Sequence, residues 1–217
     1  MNRSEAVSSG EARSPSVVRQ FRVPDLDGPI HGITYDGRYL VLAAGSRIVR
    51  FVPDENRVAD QLETFPTVGG LAFDGEHYWQ ASAGDFLRID RRTGLVLWSI
   101  SPGLKDATGI ACIGSDLLVA HGGGRAITRF EPRYESIVGE IELPVSAQGL
   151  TLVGGEMWCA TPTNLRRIDP STGSVLATAP LPQGMVVRDL TGDEDGRFWV
   201  VDGTSNVVQA IARPRAS

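Results

Sequence analysis

The feature that most constrains this chain is an internal repeat of about forty residues. Five segments align: His31-Gly-Ile-Thr-Tyr-Asp-Gly, Gly69-Gly-Leu-Ala-Phe-Asp-Gly, Thr108-Gly-Ile-Ala-Cys-Ile-Gly, Gln148-Gly-Leu-Thr-Leu-Val-Gly and Arg188-Asp-Leu-Thr-Gly-Asp-Glu. Their second residues, Gly32, Gly70, Gly109, Gly149 and Asp189, follow one another at intervals of 38 to 40. A second marker keeps the same phase, with Val41, Trp79, Leu118 and Trp158 nine residues further on and Trp199 ten. A period of this length marks a repeat architecture, in which each unit is one supersecondary element.

Within each unit, short alternating apolar runs are separated by turn signals, the pattern of strands in hairpins. Unit two reads as strands over 70–73, 78–82, 86–90 and 96–100, joined by turns at Asp74-Gly75 and Arg92-Thr93-Gly94. Glycine there supplies the positive φ that tight hairpins need, and unit four repeats the device at residues 169–173. Four strands per forty residues predicts a propeller blade. Unit five runs out after three strands, and residues 16–23 read as the strand that completes it. The expectation is therefore an all-β, five-bladed propeller over residues 16–217, its blades starting near 31, 69, 108, 148 and 188. Pairing the N-terminal strand with the last blade closes the ring and removes its open sheet edges. Residues 1–15, rich in Ser, Glu and Arg, read as a flexible tail with no apolar signal-peptide core.

The first strands carry the packing logic. Ile33/Tyr35, Leu71/Phe73, Ile110/Cys112 and Leu150/Leu152 are expected between blades. Gly32/Thr34, Gly70/Ala72, Gly109/Ala111 and Gly149/Thr151 are small, as suits strands crowding one axis. Asp189 breaks that rule, and positions that break a local rule are where function or strain collects. The three repeat-phase tryptophans read as inter-blade core.

Two rings of residues are expected around one channel mouth: His31, Gly69, Thr108, Gln148 and Arg188 at first-strand starts, and Ala44, Ser82, His121, Thr161 and Asp202 at second-strand ends. Concave, partly polar mouths of this kind are where ligands bind. His31 or His121 would serve as a general base, with Asp202 orienting the imidazole. Arg188 and Gln148 would hold the substrate, and Thr108, Thr161 and Ser82 would line its site. The reaction class is metal-independent cyclisation, elimination or hydrolysis of a small molecule. The alternative is a non-catalytic propeller that binds a ligand or a protein partner. His31, His121 and Asp202 could supply three metal ligands, but no spacing requires it, so neither metal nor cofactor is expected.

Other signals narrow the field. A net charge of −5 argues against a broad basic surface for nucleic acid. Cys112 and Cys159 lie in apolar runs, without disulfide-framework or metal spacing. No apolar run reaches the ~18 residues of a membrane span, so a cytoplasmic monomer is expected. His121-Gly-Gly-Gly124 resembles a lipase oxyanion loop, yet there is no nucleophile elbow to accompany it; it reads as a flexible loop. Asp193-Glu-Asp-Gly196 reads as a hairpin turn, and Arg91-Arg92 and His77 as solvated turn residues.

Unit two, Gly69-Gly-Leu-Ala-Phe-Asp-Gly-Glu-His-Tyr-Trp-Gln-Ala-Ser, and Gln148-Gly149-Leu150 in unit four resemble the bacterial glutamine cyclotransferase and streptogramin-lyase-like propellers. The resemblance covers most of residues 31–213 and implies a five-bladed fold. It also implies a catalytic glutamate ten residues after the glycine of the Gly-Leu pair. Leu42, Gln80, Val119 and Cys159 stand there in this chain, with Val200 as the counterpart in unit five, so the resemblance supports the fold and argues against that activity. Unit five, with Phe198-Trp-Val-Val-Asp202 and Asn206, is similar to lyase and lactonase-type repeats, whose metal carboxylates are not matched as a set.

Overall fold

The computed structural model describes residues 15–214, apart from 27, 67, 83, 105, 122–124 and 145. Residues 1–14 of the tail expected at 1–15, and the glycine run at 122–124, lie outside the described residues.

Alternating apolar runs form twenty strands in five antiparallel blades of four. β1 (Val17–Phe21) precedes blade 1, which consists of β2 (Ile30–Tyr35), β3 (Leu40–Ala44), β4 (Arg47–Val52) and β5 (Arg57–Glu63). Blade 2 is β6 (Leu71–Phe73), β7 (His77–Ser82), β8 (Asp85–Asp90) and β9 (Val96–Ile100), and blade 3 is β10 (Ala107–Ile113), β11 (Asp116–His121), β12 (Ala126–Glu131) and β13 (Ser136–Glu142). Blade 4 is β14 (Gln148–Val153), β15 (Glu156–Ala160), β16 (Asn164–Ile168) and β17 (Val175–Pro180); blade 5 holds β18 (Val187–Gly192), β19 (Arg197–Asp202) and β20 (Val208–Ala212). β1 supplies blade 5 with its fourth strand, Phe21 pairing with Val208. No helix among the described residues is long and apolar enough to cross a membrane.

Five apolar clusters fill the five gaps between blades. Trp199, Val201, Val208 and Ala210 of blade 5 meet Ile33, Leu42 and Phe51 of blade 1, with Phe21 wedged alongside. Trp158 packs blade 4 on Phe198 of blade 5, and Trp79 packs blade 2 on blade 3. Each of these indoles is satisfied by a nearby carboxylate: Trp79 and Trp199 donate to Asp74 and Asp193 of the preceding turns, both at 2.8 Å, and Trp158 to Glu156 at the start of its own strand at 3.1 Å. A buried aromatic and a hairpin carboxylate thus stabilise each other, which is how a large amphipathic ring is accommodated in a core. His77, expected to be solvated, is half-buried beside Asp74.

At the axis the inner strands are too close for side chains. A Cβ on Gly32 would lie 2.6 Å from the Leu71 nitrogen, and one on Gly109 would lie 2.7 Å from the Gly149 Cα. Asp189 is the exception, and it is 1% exposed. Its Oδ2 accepts from the Ile33 N–H of blade 1 at 2.9 Å, and its Oδ1 from the Leu190 N–H at 3.0 Å. The Leu71 N–H of blade 2 is a third donor. One carboxyl therefore joins blades 5, 1 and 2. Burial raises its pKa well above the ordinary 3.8, against the opposing pull of those three donors.

Gln80 is a second buried polar group. It pairs with Leu71 and Leu87 in the apolar gap facing Val41 and Ala43 of blade 1, and is 0% exposed. Neither its Oε1 nor its Nε2 has a hydrogen-bond partner among the described residues. An unpaired buried amide costs about 1–3 kcal/mol.

Two outcomes are expected. Gln80→Leu should raise the stability measured by urea denaturation by about 1–2 kcal/mol; an unchanged or lower midpoint would show that the amide has found a partner. For Asp189, the raised folded pKa means that its contribution is fully present below pH 3.8 and is lost as pH rises through the folded value. The stability of the wild type relative to Asp189→Gly should therefore fall with rising pH, with a slope of up to about 1.4 kcal/mol per pH unit. A pH-independent difference in urea midpoints would contradict this.

Candidate functional site at the channel mouth

The mouth is built from β-bulges. In blade 1, Ile30 faces Ala44 and Gly32 faces Ala43, leaving His31 as the extra residue. Blade 3 leaves Thr108 between the pairs Ala107–His121 and Gly109–Ala120, and blade 5 leaves Arg188 between Val187–Asp202 and Asp189–Val201. In blade 4 the extra residue is Gly149, at φ +69°, so Gln148 stays paired with Ala160. Blade 2 has no bulge between its two inner strands, and β6 begins only at Leu71. A bulged residue leaves the strand's alternation and its side chain is re-aimed, a device enriched next to active sites.

His31 and Arg188 occupy such bulges on neighbouring blades across the closure of the ring. Both are half-buried. Arg188 is anchored by an Nη2–H bond to the Gly203 carbonyl at 3.0 Å. Burial, and then the positive charge of Arg188, lower the pKa of His31 below its usual 6.5. At neutral pH the imidazole is therefore uncharged and able to accept a proton, with a cation at hand to hold a negative charge.

The other expected site residues are held differently. His121 turns along its own blade, with Nε2 3.0 Å from the Thr128 hydroxyl, which in turn lies 3.4 Å from Glu140. Asp202 makes no bond to either imidazole among the described residues. Its Oδ1 accepts from the Thr204 N–H and hydroxyl and the Ser205 N–H at 2.8, 2.6 and 2.9 Å, closing the turn into β20. Burial alone would raise its pKa, but those donors outweigh it and the net shift is downward. Thr161 exchanges bonds with the Asn164 backbone at 3.1 Å, and Ser82 donates to the Pro66 carbonyl at 3.1 Å. The Thr108 hydroxyl reaches the Ala147 carbonyl of blade 4 at 2.8 Å. Gln148 is half-buried and makes no side-chain hydrogen bond among the described residues.

A cavity of about 360 Å³ opens at this face over blades 2 and 3, lined by Val68, Gly69, Ser82, Phe86 and Asp106 among others. Below the Asp189 level the channel narrows to about 80 Å³, lined by residues 33–35, 71–73, 110–112, 150–152 and 190–192. Among the described residues no group of three His, Cys, Asp or Glu side chains could hold a metal ion. Both cysteines are free thiols; burial pushes Cys159 up to about 12 and Cys112 higher still, so neither is a nucleophile near neutral pH.

Asp189 and Asn206 are the mouth-proximal residues that site prediction left out. Asp189 was marked only by its break with the glycine rule. Asn206 at φ +56° accepts from the Ile30 N–H at 2.6 Å and donates to the Gly28 carbonyl at 3.3 Å, tying blade 5 to the entry of blade 1 beside His31. An Asp followed four residues later by Asn at a hairpin was the available signal, since both types favour turns and tolerate left-handed backbone.

No protein-family model matches this chain, and no curated protein does. Solved structures do match. Glutaminyl cyclase of Myxococcus xanthus superposes with a TM-score of 0.76 at 15% identity, over 93% of this chain and 97% of that one. U3-55K matches with a TM-score of 0.62 at 10% identity, over 92% of this chain and the whole of the other. Hydrazine synthase of Kuenenia stuttgartiensis gives 0.54 at 18% identity, over 85% of this chain and 58% of that one. At these identities the likeness establishes the fold: this chain is a five-bladed β-propeller that resembles a glutaminyl cyclase in architecture.

Proposed function

We propose that the mouth is an acid–base site for a small molecule, with His31 as the base and Arg188 as the group that holds the substrate's carboxylate or developing oxyanion. The observation that carries this reading is the placement of an uncharged imidazole and a guanidinium on two adjacent bulges. Gln148, with its amide uncommitted, is the third polar contact. Such a pair serves cyclisation, elimination or hydrolysis: the imidazole takes a proton from carbon or from the attacking hydroxyl, and the guanidinium stabilises the charge that forms. The protein would act as a monomer, in the cytoplasm, without metal or cofactor.

Glutaminyl cyclisation is not part of this reading. Gln80 occupies the position of the glutamate that the resemblance implies, and an amide cannot shuttle a proton. A second reading, a non-catalytic propeller that binds a ligand or protein partner, is favoured by one observation: Ser82, Thr161, Asp202 and His121 are already engaged with neighbouring groups.

The test is a panel of esters, lactones, β-substituted carboxylic acids and glutaminyl peptides. Turnover is expected for one of the first three classes and not for the peptides. His31→Ala should lower kcat about 100-fold or more, whereas Arg188→Met should act mainly on KM. Because the base is neutral below its ordinary value, the acid limb of kcat/KM should lie under pH 6.5. Turnover indifferent to both substitutions would sink the proposal. Absence of any turnover, with a ligand-induced rise in Tm that His31→Ala abolishes, would select the binding reading.

A further inference from the structure

A second charged feature lies at the opposite end of the blades and is independent of the mouth. The turn between β2 and β3 of blade 1 and the turn between β8 and β9 of blade 2 flank a cavity of about 260 Å³. Its lining is Asp36, Arg38, Tyr39, Arg50, Arg91 and Arg92. Four guanidinium groups therefore meet one carboxylate, in a chain whose net charge is −5.

The one carboxylate there already accepts three hydrogen bonds. Asp36 accepts from the Tyr78 hydroxyl through Oδ2 at 2.8 Å, and from the Arg38 and Tyr39 N–H groups through Oδ1 at 3.1 and 2.8 Å. Burial pushes Tyr78 up to about 12, so its hydroxyl keeps the proton it donates. Arg50 is pinned by Asp60 at 2.9 Å and by the Tyr78 oxygen at 3.3 Å. The remaining three, Arg38, Arg91 and Arg92, form no ion pair among the described residues.

Two of the three guanidinium groups nevertheless rest on aromatic rings. Arg38 lies over Tyr39 at 4.9 Å and Arg91 over Phe73 at 5.8 Å, which occupies guanidinium faces and leaves the N–H edges for a ligand. The turn carrying Arg91 and Arg92 is fixed by Asp90, whose Oδ1 accepts from the Arg92 and Thr93 N–H groups at 2.9 and 2.8 Å. Three unpaired guanidinium groups around a single carboxylate leave a net positive charge whose members repel one another, and a multiply charged anion relieves that repulsion as it binds.

We propose that this cleft is a binding site for a small phosphorylated molecule. Guanidinium forks match phosphate oxygens bidentately, and three uncommitted forks suit a ligand with several anionic oxygens better than a single carboxylate. The small volume suits a phosphate-bearing metabolite rather than a nucleic-acid strand.

Inorganic pyrophosphate, inorganic phosphate and malonate would be titrated into the full chain by calorimetry at low ionic strength, where charge attraction is least screened. Pyrophosphate is expected to bind at one site and more tightly than phosphate or malonate. The double substitution Arg91→Ser, Arg92→Ser lies on an exposed turn and should weaken pyrophosphate at least tenfold, and Arg38→Ser on the facing turn should do the same. Both variants should keep or raise the ligand-free Tm, because repulsion is removed. The proposal is overturned if the wild type shows no saturable pyrophosphate binding, or if malonate binds as tightly. It is equally overturned if both variants bind like wild type, or if Arg188→Met rather than these variants abolishes binding.

Discussion

Five inner strands share one axis, and there is no room there for a side chain on Gly32 or Gly109. That contact sets the rest of the molecule. Strands this close at the centre must fan apart outward, and the gaps between blades are filled by large buried side chains such as Trp158, Trp199 and Phe86. The same crowding makes Asp189 consequential. A side chain where four blades have glycine can only lie along the axis, and there it finds backbone N–H groups of three blades that would otherwise face the channel. The fold thus carries a buried ionisable group at the point where its blades are held together.

The two ends of the blades do different work. At one end the hairpin turns repeat, and carboxylates in or beside them hold the indoles of Trp79, Trp158 and Trp199. At the other end the repeat loosens, and bulges at His31, Thr108 and Arg188 replace regular pairing. A bulge gives up ladder regularity locally in exchange for a re-aimed side chain. The mouth residues that lie beyond the bulges, Ser82, Thr161 and Asp202, instead close their own loops. What is left for chemistry is a subset of the ring, centred on the seam between blades 5 and 1.

The sequence made the ring legible because its markers are local and periodic: glycine at the axis, tryptophan in the gap, Asp-Gly at the turn. The closing strand was legible from the count of strands in unit five. Side-chain direction was not. Whether His121 faces the channel or Thr128 depends on the bulge at Thr108, and register irregularities leave no periodic trace. Asp202 could have been read more closely, since Asp-Gly-Thr-Ser is an Asx-turn pattern that spends its carboxylate on the next backbone N–H groups. Gln80 was legible as a departure from the cyclase pattern, but its lack of partners emerges only when Leu71, Leu87 and blade 1 close around it.

Net charge is the most instructive case. A chain at −5 with one lysine argues against a broad basic surface, because such a surface depends on the summed field. It says little about a small cleft. Screening confines charge effects to about 8–10 Å at ordinary ionic strength, so an anion responds to the few groups around it. Arg91-Arg92 read alone is a solvated turn, and both residues are indeed exposed. Its meaning changes once the ring sets the blade 2 turn beside Arg38 and Arg50 of blade 1. That adjacency belongs to the geometry of neighbouring repeats, 41 to 54 residues apart in the chain. A repeat protein can therefore assemble a strongly charged site from turns that are each unremarkable, while its overall composition points the other way.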